Sequence, residues 1–524
     1  MIRTFQSKKG NRLNTPSWGS LNQKLPFFAL IMLSFLVSGC RFGPDFLRPP
    51  PPAISRYTDK PIPSRTASAP TTAGKSQCFV TNKDIPAEWW EIFHSETLNQ
   101  LIKEALIANP DLRAADAGLR IAQETALAQR AFFWPRVDAN LNVTRQETAH
   151  TLTPVVSTNS FFYTLITPQL TVSYVPDVFG LNRRQVESLE AQVASEVFQR
   201  EALALTITTN IVMAVIQEAS LRAQIQATLR SIAIGKKQLQ LLRIEHNTGE
   251  IGLAGVAAQE AALAQLEANL PPLQKQLAQQ HHLISVLCGH FPNEMLVKFN
   301  LNQLNLPREL PFSVPAALVE QRPDIRAAES QIHAASALIG VAIAQRLPNL
   351  LLTAAGGSAA LTPEMLLNTN TLFYALTGNA AQTLFAAGML KHRQRAAVAA
   401  FKQADAQYRS VVLSAFQDVA DTLKAIQFDA INLETAQKAV QASRRSLSIA
   451  QQQWKAGEVG YLEVLNAEQT YQQALITLVQ NQANRFVDTA ALYQALGGGW
   501  WNRGASKKTV VVQKDNCVLR SKKG

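Results

Sequence analysis

Two intervals limit what this 524-residue chain can fold into. Gly180 and Gly249 lie 69 residues apart, and so do Gly388 and Gly457. The flanking stretches align as well: "DVFG" (177–180) with "LFAAG" (384–388), and "GEIG" (249–252) with "GEVG" (457–460). Upstream, "NPDLRAADAGLRIAQ" (109–123) matches "RPDIRAAESQIHAAS" (322–336). Pro110 to Pro135 and Pro323 to Pro348 are both 25-residue intervals. Chance does not hold such spacings equal, so the chain is a tandem duplication.

Each half then reads alike. A helix of about 34 residues comes first, over Leu98–Ala131 and Ala316–Leu347, ending at a "WPR" or "LPN" proline. Two strand-like segments follow. Next comes a helical run that spans the 69-residue interval and stops at the GE(I/V)G turn, where two glycines three apart would each cost roughly 1 kcal/mol inside a helix. A returning helix closes each half, over Leu253–Leu287 and Leu462–Leu496. At 1.5 Å per residue the long run measures roughly 100 Å and each short helix roughly 50 Å. Two short helices end to end therefore match one long one. Ala, Gln and Leu at three- and four-residue spacing suit packed, coiled-coil-like helices in a tall rod. The expected fold is mainly α with a small β part.

The strand segments carry a second pattern. In "VDANLNVT" (137–144) Val137, Ala139, Leu141 and Val143 share one face, and Asp138, Asn140, Asn142 and Thr144 the other. "QLTVSYV" (169–175) alternates in the same way, whereas the segments near Leu350–Ala360 and Leu372–Leu384 alternate poorly and rest on the repeat. Such alternation fits either a half-buried soluble sheet or an outer-membrane barrel. Four strands cannot close a barrel, and lipid tolerates no open edge, so a membrane reading requires several chains to share one barrel.

The net charge of +12 suggests nucleic acid until it is located. Residues 1–39 hold five basic and no acidic side chains, and 502–524 hold seven basic against one acidic, which leaves +1 for the body. The body has no electrostatic footprint for nucleic acid. The basic leader runs into the apolar "LPFFALIMLSFLV" (25–37) and then "SGC", so 1–39 reads as a lipoprotein signal peptide. Val37-Ser38-Gly39-Cys40 resembles a lipobox with Cys40 as the lipid-attachment residue, and several acyl chains anchor a protein stably. Arg41 in place of an aspartate favours sorting to the outer membrane. No apolar run of 18 or more residues follows Cys40, and the odd set Cys78, Cys288 and Cys517 implies no disulfide framework. Residues 40–87, rich in Pro, Ser and Thr, read as an extended tether with little core of its own. The first repeat is then 88–300, the second 301–501, and 502–524 a basic tail.

No catalytic constellation emerges, so an enzyme is not expected. "GGGW" (497–500) reads as a helix terminator, since no phosphate-loop context accompanies it. His281, His282, Cys288 and His290 lack ligand spacing and read as packed or solvated rather than as a metal site. "EWWE" (88–91) reads as packing of the first ordered segment. No cofactor is expected beyond the covalent lipid on Cys40.

The stretches "CRFGPDFLRPP" (40–50), "SETLNQLIKEALIANPDLRAA" (95–115), "LVEQRPDIRAAESQI" (318–332), "SAFQDVADTL" (414–423) and "LYQALGGGW" (492–500) resemble the TolC-like outer-membrane factors, in the lipoprotein branch that serves multidrug efflux. The resemblance covers about 40–501. It implies a tandem-duplicated α-barrel and a homotrimer, with four strands from each chain forming one shared 12-stranded β-barrel in outer-membrane lipid. It implies a passive exit duct docked on a periplasmic adaptor and an inner-membrane transporter, with the helical part in the periplasm. The reversals at Gly249 and Gly252 and at Gly457 and Gly460 become the adaptor-docking tips. Side chains after the second turn would narrow the tunnel, which places the gate at Leu462, Glu463 and Asn466. Threefold symmetry would make Glu463 a ring of three; otherwise Glu463 merely favours the amino end of its helix. The neutral Asn466 stands where the family carries an acid, and Gly255 takes the corresponding place after the first turn. Type I protein secretion on the same fold, or a lipid-tethered coiled-coil scaffold without a pore, are the alternatives.

Overall fold

The computed structural model describes residues 42–81, 83–149, 161–294 and 297–503. Cys40, the leader before it, Cys517 and all but the start of the basic tail lie outside the described residues. The helices are α1 (Glu96–Ala108), α2 (Pro110–Arg130), α3 (Leu181–Asn247), α4 (Leu253–Leu287), α5 (Pro315–Gln321), α6 (Pro323–Ala344), α7 (Met389–Lys455) and α8 (Tyr461–Ala495). The strands are β1 (Cys78–Thr81), β2 (Arg136–Glu147), β3 (Phe162–Tyr174), β4 (Glu309–Phe312), β5 (Asn349–Ser358) and β6 (Leu372–Ala381). The duplication is visible in the element lengths: α3 and α7 have 67 residues each, α4 and α8 have 35 each. Two compact units cut across the repeats.

One unit takes the chain up to Phe46 together with Ala126–Leu189 and Ala335–Phe401. Its antiparallel sheet has the order β2-β3-β5-β6. The register pairs Val137 with Val172, Leu170 with Gly356, and Leu352 with Gly378. Because side chains alternate with period two, that register gathers one face from all four strands: Leu141 and Val143, Leu170 and Val172, Leu352, and Tyr374 and Leu376. The opposite face carries Asp138, Asn140 and Asn142, Thr171 and Ser173, and Thr353 and Thr377. The last two strands, ambiguous alone, thus join the same two-faced pattern. Its apolar side is bare, with Leu141 69% and Leu376 78% exposed. The outer edges of β2 and β6 pair with no strand among the described residues.

At the head of α3 the same unit grips the first described residues. Arg184, 1% exposed, donates from Nε to the Phe42 carbonyl (3.1 Å) and from Nη2 to the Gly43 carbonyl (3.1 Å) and Asp45 Oδ1 (2.9 Å). Gly43 sits at φ +100°, where a Cβ would lie 2.5 Å from the Gly340 Cα. Only glycine fits there.

The other unit takes Leu47–Thr125, Glu190–Ala334 and the chain from Lys402 onward. Each expected leading helix is in fact two helices. Asn109 and Arg322 are extended (ψ 125° and 124°) because the prolines after them disfavour helix at the preceding residue. Asn109 accepts at Oδ1 from the Asp111 and Leu112 amides, capping α2, while its Nδ2 donates to the last α4 carbonyl, Leu287 (2.8 Å). Arg322 repeats the device: Nη1 donates to the last α8 carbonyl, Ala495 (3.2 Å), and to Asp418 Oδ2 (3.0 Å). The late part of the proposed tether is also ordered. β1 pairs in parallel with β4, and Gln77, 1% exposed, accepts at Oε1 from the buried Arg485 guanidinium (2.6 Å). Cys78 is disulfide-bonded, which the cysteine count did not imply. Among the described residues two helices, α3 and α6, contain windows apolar enough to cross a membrane, but most of each window is buried in protein.

Candidate functional site

The two helix reversals are built alike. At the first, the Gly249 amide donates to the His246 carbonyl (3.0 Å) and the Glu250 amide to the Glu245 carbonyl (2.8 Å). At the second, the Gly457 amide donates to Trp454 (2.9 Å) and the Glu458 amide to Gln453 (2.9 Å). This is the Schellman closure, which needs a left-handed residue after the helix. Gly249 (φ +85°) and Gly457 (φ +73°) supply it. Gly252 and Gly460 do a different job: both are extended N-caps of the returning helices (φ −74°). A Cβ built on any of these four glycines meets nothing within 4 Å. The turns are open surface.

Side chains around the two turns differ. Ile232, Leu239, Leu242, Val256 and Leu263 from the first pair of helices share one core with Ala450, Tyr461, Val464 and Leu465 from the second. Across it the Tyr461 hydroxyl donates to Gln259 Oε1 (2.7 Å), and Gln259 Nε2 donates to the Gly235 carbonyl (3.1 Å). Gln259 is 2% exposed, so these bonds have no water to replace them. Trp454 packs edge-on against Tyr461 (centroids 5.3 Å, 67°). Burial raises the Tyr461 pKa, with the Glu468 and Glu245 charges adding to it, and keeps the phenol a neutral donor. Glu468, itself buried, is held above the ordinary carboxylate range by desolvation, against a hydrogen bond from Gln238. At the matching place in the first repeat, Leu253 is exposed. Periodicity marked none of this link, because a buried Gln at a core position gives no apolar signal.

The three gate candidates are exposed at the start of α8. Glu463 and Asn466, three apart on one helical face, line an open groove of about 860 Å³ together with Arg445, Gln453 and Thr470. Leu462 does not line that groove; it stands 58% exposed, about a quarter-turn around the helix. Sequence reasoning missed Arg445 and Gln453, which come from the last turns of α7.

The other distinctive sequence pieces converge on structure rather than chemistry. Trp500 Nε1 donates to the Gln321 carbonyl (2.7 Å), and a Cβ on Gly497 would stand 2.5 Å from that same oxygen. With Arg322 bridging Asp418 and Ala495, "QRPDI", "SAFQDVADTL" and "ALGGGW" form one joint. Gly497, Gly498 and Gly499 all have positive φ, as the helix terminator requires. His281 Nε2 lies 3.0 Å from Glu218 Oε1 beside Arg222, and His290 faces Glu104 and Glu294. Cys288 is buried, and its thiol pKa is pushed up to about 12, first by desolvation and then by the Glu104 charge, so it is inert. Trp89 is buried and stacks on Tyr493 (5.7 Å, 15°), the packing read from "EWWE".

This arrangement has counterparts. The family model described as outer membrane efflux protein matches residues 101–290 and 314–498. The pyoverdine export outer membrane protein OpmQ of Pseudomonas putida is 29% identical over 448 residues, spanning 84% of this chain and 94% of that protein. Among solved structures, the outer-membrane channel OprN superposes with a TM-score of 0.77 at 26% identity, covering 88% of this chain and all of that one. The outer membrane protein VceC from Vibrio cholerae gives 0.74 at 27% identity, covering 79% and 100%.

Proposed function

The chain belongs to the outer membrane efflux protein family and is an outer-membrane exit duct, and we propose that it works as a homotrimer gated at the second helix reversal. The observation that carries the assembly is the four-stranded sheet, apolar on one face, polar on the other, with both outer edges unpaired. In lipid such edges must be closed, and three chains close them as one 12-stranded barrel with the polar face inward. The helical part lies in the periplasm, and lipid on Cys40 adds a second hold on the outer membrane. The duct itself is passive. An inner-membrane transporter supplies the energy, and a periplasmic adaptor docks on the open turns at Gly249, Gly252, Gly457 and Gly460. Three chains present six such turns.

Glu463 and Asn466 narrow the lumen, with Leu462 as an apolar seal beside them. Three Glu463 carboxylates around an axis favour cations, while Asn466 contributes polarity without charge. The relatives' named cargoes, pyoverdine among them, favour small molecules over secreted proteins as the substrate class. Planar-bilayer recording of the purified protein, paired with gel mobility before and after heating, tests the assembly. Heat-modifiable trimers with ion conductance are expected. A protein that runs as a monomer and passes no current refutes the duct.

A further inference from the structure

We propose that the apolar groove at the strand-to-helix junction binds one of the acyl chains carried by Cys40, so that the anchor packs against its own barrel unit instead of hanging free in the bilayer. The proposal rests on the reading of Cys40 as the lipid-attachment residue. The groove holds about 420 Å³ and is floored by Phe132, Val175, Phe179, Leu181, Leu347 and Leu350. That volume falls in the roughly 300–1,000 Å³ range of small-molecule and cofactor sites. Phe132 is 63% and Val175 42% exposed, a cost that a hydrocarbon chain would remove.

Phe42, the residue after Arg41, lies at this groove. The Phe42 ring sits 6.1 Å from that of Phe179, one of the floor residues. Its backbone is fixed there by Arg184 and by the contact of Gly43 with Gly340. Phe42 is two residues on from Cys40, a reach of about 7 Å at most. Any acyl chain on Cys40 therefore starts within its own length of the groove mouth. Leu350 belongs both to the groove and to the apolar face of the sheet, so a chain lying in the groove continues onto the lipid-facing surface.

The polar rim fits a lipid headgroup linkage. Asp177 accepts from the Asn182 and Arg183 amides (2.9 Å each) and from Arg183 Nε (3.1 Å). Asn182 accepts at Oδ1 from Gln129 (2.7 Å), but its Nδ2 is buried without a partner in a residue 8% exposed. A buried donor left over beside an apolar floor matches the ester or amide carbonyl at the head of an acyl chain.

Photo-crosslinking tests this in the full chain. Cells producing the protein are fed a palmitate analogue bearing a diazirine and irradiated, and the Cys40 peptide is sequenced by mass spectrometry. Links from the Cys40 acyl chain to peptides holding Val175–Leu181 or Leu347–Leu350 are expected. Val175→Glu, at an already exposed position, should lower their yield at least tenfold while the lipidated Cys40 peptide keeps its mass. An acylated Cys40 whose chain links only to phospholipid, or only to other surfaces of a neighbouring copy, overturns the groove and leaves the anchor standing. An unmodified Cys40 overturns both.

Discussion

Removing one oxygen from Tyr461 should open the duct. The hydroxyl is the donor of the 2.7 Å bond that joins the second helix reversal to Gln259 on the first returning helix. Tyr461→Phe keeps the ring against Trp454 and leaves Gln259 Oε1 buried without a donor, at a cost of about 1–3 kcal/mol. If the gate opens by separating the two helix pairs, water reaches Gln259 in the open state only. The penalty then falls on the closed state alone, and each subunit shifts toward open by roughly 5- to 150-fold. Single-channel recording at fixed voltage reads that shift as a raised open probability at unchanged full-open conductance. Gln259→Leu in the Tyr461→Phe background removes the orphaned acceptor as well, and because the Gly235 carbonyl that Gln259 also bonds lies within a helix and keeps its backbone partner, the pair should return toward the parent. An unchanged open probability in Tyr461→Phe, or a double variant as leaky as the single one, would refute the latch.

Further expectations concern the turn, the lumen and one half-buried acid pair. Gly457→Ala forces a Cβ into the left-handed region and should cost about 1–2 kcal/mol locally, whereas Gly460→Ala, at φ −74° in open space, should cost under about 1 kcal/mol; faster hydrogen exchange at the Glu458 amide in the first variant alone is the check. Glu463→Ala should lower the preference for cations in reversal-potential measurements, and equal permeability ratios before and after would remove Glu463 from the gate. Asp488 is held well above the ordinary carboxylate range by burial, then by its hydrogen bond and charge coupling to Asp429, with Arg485 opposing. A folded pKa raised above the unfolded one means stability present at low pH that is lost as pH rises from near 4 through the folded value. Melting temperatures should therefore fall between about pH 5 and pH 8, and Asp488→Asn should flatten that slope.

The backbone plan was legible because it is written in intervals. Equal glycine spacings gave the long helices, their reversals and the returning pair almost to the residue, since a left-handed turn tolerates glycine and little else. The split at Asn109–Pro110 and Arg322–Pro323 was present in the sequence but read only as a repeat marker. The prolines' restriction on the preceding residue was the physical clue. Strands β5 and β6 were opaque for a different reason. Ala354, Gly356 and Gly378 carry no side chain large enough to declare a face, and only the register, from β3 to β5 and from β5 to β6, assigns them one. Partners that are polar and distant in sequence left no trace: Tyr461 and Gln259 lie 202 residues apart, and Gln77 finds Arg485 across 408. The pieces that looked most like motifs, "QRPDI" and "ALGGGW", turned out to join one another rather than to act on a substrate.

The equal lengths of the paired arms have a consequence for descent. Between the two halves, the interval from Pro135 to Gly180 is 45 residues and that from Pro348 to Gly388 is 40, so strands and loops have gained or lost residues freely since the copies parted. The helical arms have not: 67 against 67, then 35 against 35. A single inserted residue in one arm would rotate everything beyond it by about 100° and turn its packed face away from its neighbour. Substitution is therefore the ordinary currency of change in these arms, while a change of length is admissible only when both copies acquire it together. The duplication has left each half as the ruler against which the other is kept.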